Sequence, residues 1–239
     1  MSKLSLDRIL QSQGFGTRKY CRALIEDGDV AVNGDTVDNF KTTFDTSTEL
    51  VLTVFDEEWR YREHVYLALY KPAGYECSRK PSHHPGVLKL LPEQFTWRDV
   101  QPVGRLDHDT TGLLLISDDG PFIHAQSSPK RHVPKVYQAT TAEPVTEALV
   151  EQMLSGVQLH DEPAPLAALV CEPKGENQLE IVLEQGKYHQ VKRMLAAAGN
   201  HCSALHRSAI GGLQLADLGL QEGEWCYLEQ EQLALLAPA

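Results

Sequence analysis

GRLDHDTTGLLLISDDG, residues 104–120, is the stretch on which the reading turns. A polar turn holding Arg105, Asp107 and the pair Thr110–Thr111 runs straight into the apolar stretch Leu113–Ile116, and Asp118–Asp119 closes it. Four large aliphatic residues bounded by turn residues read as a short buried strand. The turn before it is therefore held in a fixed place, stiffened by hydroxyls that can bond nearby backbone groups. A carboxylate held there, partly desolvated and paired with one cation, can act as a nucleophile or a base. Asp in a turn before a strand is also a common architectural device, and these residues alone leave both readings open. Asp118–Asp119 reads only as the exit of the strand.

Working outward, the chain alternates short strands and helices. Residues 65–70 read as a strand ending in the sharp turn Lys71-Pro72-Ala73-Gly74. Strands follow at 135–140 and 178–183, with helices at about 144–154 and 189–198, the second closed by Gly199-Asn200. The rhythm is not strictly βαβ, which predicts an α+β fold with a mixed, mainly antiparallel sheet. In EQGKYHQVKRMLAAAGN, 184–200, the residues Val191, Met194 and Leu195 supply a buried side. Lys192 stands at the edge of that side, where a buried stem can bring its ammonium to a carboxylate. Lys187 reads as a residue of the solvated helix face.

The first 55 or so residues read as a small module. Residues 6–13 have helical spacing, Gly14-Phe15-Gly16 breaks it, and Thr17 is a suitable N-cap for a helix to about Glu26. Asn33-Gly34 sits between two short strands as a two-residue hairpin signal, and 48–55 supplies another strand. The charged stretch 56–63 reads as a linker with two aromatics, Trp59 and Tyr61, that could also pack. The expected division is 1–58 for a small N-terminal α/β module and 59–239 for the larger domain.

The formal net charge is −11, which by itself opposes nucleic-acid binding. Its distribution says otherwise. Residues 185–216 contain no acid but hold Lys187, Lys192, Arg193 and Arg207, and residues 122–137 contain no acid but hold Lys130, Arg131 and Lys135. This pattern fits a local site for a polyanion on an acidic protein. The five cysteines include no C-x-x-C and are odd in number, so reduced thiols and a cytoplasmic protein are expected. No apolar run approaches the roughly 20 residues of a membrane span, and no secretory h-region opens the chain.

Taken together these segments resemble the pseudouridine synthases that act on small-subunit ribosomal RNA. GRLDHDTTGLLLISDDG is similar to their catalytic motif, KVYQA (135–139) to their second, and GKYHQVKRMLAAAGNH (186–201) with LHRSAIGG (205–212) to their third. KPAGYECS (71–78) is similar to their lead-in strand and turn, and TRKYCRALIEDGDVAVNG (17–34) to the S4 RNA-binding domain. HAQSSPKRHVPKVY (124–137) and GVQLHDE (156–162) favour the small-subunit members over their large-subunit relatives.

The resemblance implies isomerisation of uridine to pseudouridine. The N1–C1′ bond breaks, the base turns and a C5–C1′ bond forms, with no cofactor and no metal. It makes Asp107 the essential carboxylate, Tyr137 the aromatic that stacks on the flipped base or assists a proton, and Lys192 the cation paired with Asp107. Arg193 is the runner-up for that pairing. Without the motif, Tyr137 reads as a core strand aromatic. Leu205 belongs to the pocket wall. Arg105, Lys130, Arg131, Lys135 and Arg207 would hold phosphates and so offset base extrusion, which costs a few kcal/mol. Arg18, Lys19 and Arg22 of the S4-like module would add tethering affinity. The implied partner is 16S rRNA or a small-subunit assembly intermediate, bound by a monomer without membrane or metal.

Rival readings are a large-subunit enzyme of the same family, an rRNA-binding assembly factor in which Asp107 is a relic, and a metal hydrolase using Asp107, His108, Asp109, Asp118 and Asp119. The spacing of His201, Cys202 and His206 does not fit a zinc finger.

Overall fold

Thr17 caps its helix as its hydroxyl suggests, accepting a hydrogen bond from the Tyr20 N–H. The computed structural model of the chain describes residues 3–78, 80–128 and 131–236. These form two units: the residues up to Val65 together with Leu91–Gln101, and Tyr66–Leu90 together with the residues from Pro102 onward.

The first unit begins with β1 (Lys3–Ser5), α1 (Leu6–Ser12) and α2 (Arg18–Glu26). β2 (Val30–Val32) and β3 (Asp35–Thr36) flank Asn33-Gly34, both left-handed as a tight hairpin requires. β4 (Thr43–Asp45) pairs β1, while β5 (Val51–Val54) pairs β2 on one side and β6 (Glu57–Arg60) on the other. Leu6, Ile9 and Leu10 of α1 meet Leu24, Ile25, Val32 and Leu52 in one core, with Phe15 edge-on to Trp59 at 5.6 Å.

The stretch 56–63, expected as a linker, is therefore half strand and packs its aromatics on this core. The insertion 91–101 contributes α3 (Glu93–Trp97). Its Phe95 is buried, and Arg98 donates to Gln13 Oε1 at 2.8 Å and to the Arg62 carbonyl at 3.0 Å.

Asp7 is buried beneath α2, where Arg18 Nε (2.7 Å), Arg22 Nε (2.8 Å) and Ser5 Oγ (2.5 Å) all donate to it. Burial pushes its pKa up, but these three donors outweigh burial and hold it well below the usual carboxylate range. A carboxylate depressed in the folded state stabilises above its unfolded value, near pH 4, and that contribution is lost as pH falls toward the folded value. Asp7→Asn is expected to cost about 2 kcal/mol at pH 7. It should also flatten the loss of stability below pH 4 in urea titrations followed by circular dichroism.

In the second unit the strands are β7 (Tyr66–Lys71), β8 (Gln101–Val103, all but its first residue), β9 (Thr111–Ser117), β10 (Lys135–Thr141), β11 (Val170–Gly175), β12 (Gln178–Leu183), β13 (Cys202–Ile210), β14 (Leu213–Gln214) and β15 (Trp225–Tyr227). The helices are α4 (Gly120–Ser127), α5 (Glu147–Ser155), α6 (Gln190–Ala197) and α7 (Gln230–Ala234). The strands run in the order β11-β12-β10-β13-β9-β7-β15, with β14 on β13 and β8 on β9. β9 and β13 are parallel neighbours and the other main pairings are antiparallel, the mixed α+β sheet the sequence predicts.

α5 and α6 pack Leu149, Met153, Val191, Met194 and Leu195 into a core with Leu179, Ile181 and Leu183 of β12. Asp119 is architectural: it caps α4 by accepting from the Phe122 N–H, and it also accepts from the Tyr66 hydroxyl at 2.7 Å. Among the described residues no helix is long and apolar enough to cross a membrane.

Candidate active site

The turn before β9 is fixed from below by a lysine. Lys71, at the end of β7, is 0% exposed, and its ammonium donates to the carbonyls of Thr110 (2.8 Å), Pro72 (3.0 Å) and His108 (3.2 Å). The His108 carbonyl also accepts from the Gly74 N–H at 2.7 Å, and the Asp107 carbonyl from the Thr110 N–H at 3.1 Å. The backbone that follows Asp107 is thus tied to the KPAG turn. Burial pulls the Lys71 pKa down and outweighs the upward pull of Cys77, Asp109 and Asp107. Lys71→Met removes the donor to three carbonyls in a buried setting and is expected to cost about 3 kcal/mol. Urea unfolding would measure this, and turnover should fall with the loosened turn.

On this shelf the Asp107 side chain is 24% exposed. Lys192 Nζ stands 3.2 Å from its Oδ2 and His189 Nε2 stands 2.9 Å from its Oδ1. The same ammonium donates to Asp109 Oδ1 at 2.6 Å. Burial works against the Lys192 charge, but the hydrogen bond to Asp109 and the field of Asp107 outweigh it and raise its pKa. Burial likewise opposes ionisation of Asp109, and the Lys192 hydrogen bond and charge win, lowering its pKa.

Lys192 arrives here because α6 starts at Gln190, with His189 left-handed at φ 46° as its N-cap. His189 and Lys192 are three residues apart and so share one side of the helix start. That spacing is the signal for His189 in the sequence, where Asp109 stands out only as a ligand of the metal-hydrolase reading.

Tyr137 lies on β10 opposite Arg207 of β13 and Ile181 of β12. A bulge beside it, with Ser208 as the extra residue of β13, sets this pairing. Tyr137 and Asp107 line the same two cavities, and Leu205, Leu183 and Val191 wall the smaller of them. Lys135 and Arg207 lie on the wall of the other, and exposed Arg105 borders both.

Arg193 points elsewhere: it pairs with Asp161 and donates to the Tyr188 carbonyl at 3.1 Å, holding the 186–189 loop. Arg131 is exposed, and Lys130 lies outside the described residues. Arg18, Lys19 and Arg22 belong to the first unit. There Arg18 and Arg22 are tied to Asp7 through Nε while about two-fifths exposed, and Lys19 is exposed. Among the described residues no group of three or more His, Cys, Asp or Glu is arranged to hold a metal ion.

A carboxylate on a rigid turn, with a cation and an imidazole on its two oxygens and a tyrosine beside it, is a site for chemistry at an electrophilic carbon. The family model described as RNA pseudouridylate synthase matches residues 65–197, more than half of the chain, and the S4 domain model matches 4–49. The chain belongs to the RNA pseudouridylate synthase family, a class of isomerases, and carries an S4 domain.

Among its relatives, the Ribosomal small subunit pseudouridine synthase A of Escherichia coli (strain K12) is 44% identical over 169 residues, 71% of this chain and 72% of its own. The Uncharacterized RNA pseudouridine synthase YtzG of Bacillus subtilis (strain 168) is 35% identical over 238 residues, 98% of each chain. A solved structure, "Crystal structure of pseudouridylate synthase", is 33% identical with a TM-score of 0.68, covering 98% of this chain and 100% of that one.

Proposed function

We propose that the chain isomerises one specific uridine of small-subunit ribosomal RNA, free or in an assembling particle, in the cytoplasm. The observation that carries the reading is the contact between Asp107 and Lys192 at 3.2 Å, with Tyr137 on the same cavity walls. Asp107 acts at C1′ as the N1–C1′ bond breaks. Uracil turns against Tyr137 and Leu205, C5 bonds to C1′, and the C5 hydrogen leaves as a proton while N1 gains one. Lys192 and His189 keep the carboxylate aimed, and Lys192 stays anchored through Asp109. The module 1–58 tethers the RNA.

The names of three of the relatives, from Escherichia coli, Vibrio vulnificus and Salmonella typhimurium, support the small subunit as the target. The net charge of −11 favours a shaped target over arbitrary RNA, because long-range attraction to phosphates is weak. Tritium release from 5-tritiated uridine RNA tests this. Small-subunit RNA or its assembly particles should release tritium, and large-subunit RNA should not. Equal rates and affinities for all three RNAs would sink the proposal.

A further inference from the structure

The two cavities that meet at Asp107 and Tyr137 differ in kind. The smaller, about 60 Å³, has the apolar wall of Leu183, Val191 and Leu205. The larger, about 370 Å³, adds Lys135 and Arg207 to Arg105 and Lys187, which border both. Lys187 is occupied by Glu162 at 2.9 Å. Arg207 is 4% exposed; its Nε donates to the Leu113 carbonyl at 2.8 Å, and its buried Nη2 has no hydrogen-bond partner among the described residues. The bond to Leu113 ties Arg207 to β9 and accounts for Nε but not for Nη2. The Lys135 ammonium donates to the Val133 carbonyl at 2.7 Å.

Among the described residues neither cation pairs with a carboxylate. Burial, and then the neighbouring Arg207 charge, bring the Lys135 pKa down to about 8, with Glu184 pulling weakly the other way. Side chains two apart on a strand share a face, as do directly opposite residues of paired strands. Lys135 and Arg207 therefore flank Tyr137 on the face of the sheet that bears the site. A buried arginine beside a half-buried lysine, with no carboxylate on either among the described residues, is costly, and a ligand that brings negative charge relieves that cost. Gln126 Oε1, also buried on this wall and without a hydrogen-bond partner among the described residues, is an acceptor and suits a sugar hydroxyl.

We propose that Lys135 and Arg207 form a phosphate subsite that grips a phosphodiester adjoining the reacting uridine. The uracil then occupies the smaller cavity, against Leu183, Val191 and Leu205, and Asp107 faces C1′ between the two. The proposal rests on the isomerase reading above and adds a role for the non-reacting part of the substrate. Once the N1–C1′ bond has broken, the uracil must turn while the sugar stays still. A grip on the phosphate holds the sugar in place during that step, so the interaction contributes to turnover as well as to binding.

The test uses the full chain and a ligated small-subunit RNA whose target uridine carries tritium at C5. In separate substrates, the phosphate on its 5′ or its 3′ side is replaced by a neutral methylphosphonate. One of the two replacements is expected to lower wild-type kcat/KM by roughly 10- to 100-fold, the range of a charge-assisted hydrogen bond, and to identify which phosphate is held. Lys135→Met should lower activity on natural RNA by a similar factor and be nearly indifferent to the same replacement, while Lys135→Arg retains most activity. If both neutral linkages cost the wild type less than about threefold, or cost Lys135→Met as much as the wild type, the subsite is wrong while the isomerase reading stands. If the unmodified RNA releases no tritium, the isomerase reading fails and the subsite fails with it.

Discussion

Asp107→Asn is expected to bind substrate RNA with near wild-type affinity while tritium release falls roughly 10³-fold. The substitution preserves size and hydrogen-bonding shape but removes the charge that acts at C1′. The fold should tolerate it for a specific reason. Lys192 keeps its partner Asp109 at 2.6 Å, so its ammonium is not left unpaired. The turn is held through its backbone, the Asp107 carbonyl by the Thr110 N–H and the His108 and Thr110 carbonyls by Lys71 and Gly74, not by the Asp107 side chain. Single-turnover tritium release beside filter binding separates the two effects. Full turnover by the Asn variant would remove Asp107 from the chemistry.

Gly112→Ala should be the most damaging single-methyl change in the catalytic motif. Gly112 has φ +110°, and a Cβ there would lie 2.2 Å from the carbonyl oxygen and 2.6 Å from the nitrogen of Arg207. Both atoms are backbone of the strand paired in parallel with β9, so no side chain can turn aside. The strands must part, or Gly112 must leave its conformation. The expected loss is at least about 4 kcal/mol, in the range reserved for clashes and forbidden backbone. Gly104→Ala is the control: its φ is +75° with nothing within 4 Å of a Cβ, so only backbone strain of about 1 kcal/mol is expected. Equal losses at the two glycines, measured by urea unfolding, would contradict the close approach of β9 to β13.

Particular residues show how far the sequence could be read. The first module's helices and hairpin were legible because Thr17 and Asn33-Gly34 are strong local signals acting as such. β6 was not, because its hairpin turns through Phe55-Asp56, both left-handed at φ 50° and 65°, where no glycine or asparagine advertises the turn. The packing of 91–101 with the first unit is a long-range fact invisible to local pattern, though Gly14 records it. A Cβ there would meet the Gln94 carbonyl at 2.0 Å.

β13 buries Leu205, Arg207 and Ala209 in alternation, yet one of the three is an arginine, so the hydrophobic period was broken where the site needs a charge. At the site itself, family motifs pointed to Asp107, Tyr137 and Lys192. Physics alone left the first two with architectural alternatives. Lys71 and His189 act through burial and a helix start that only the fold brings to Asp107.

The most direct measurement maps pseudouridine across ribosomal RNA from cells lacking this gene, complemented with wild type or with Asp107→Asn. One small-subunit position should lose its pseudouridine in the deletion, regain it with wild type and stay uridine with the Asn variant. Restoration by the Asn variant, or an unchanged map in the deletion, would contradict an isomerase built on Asp107.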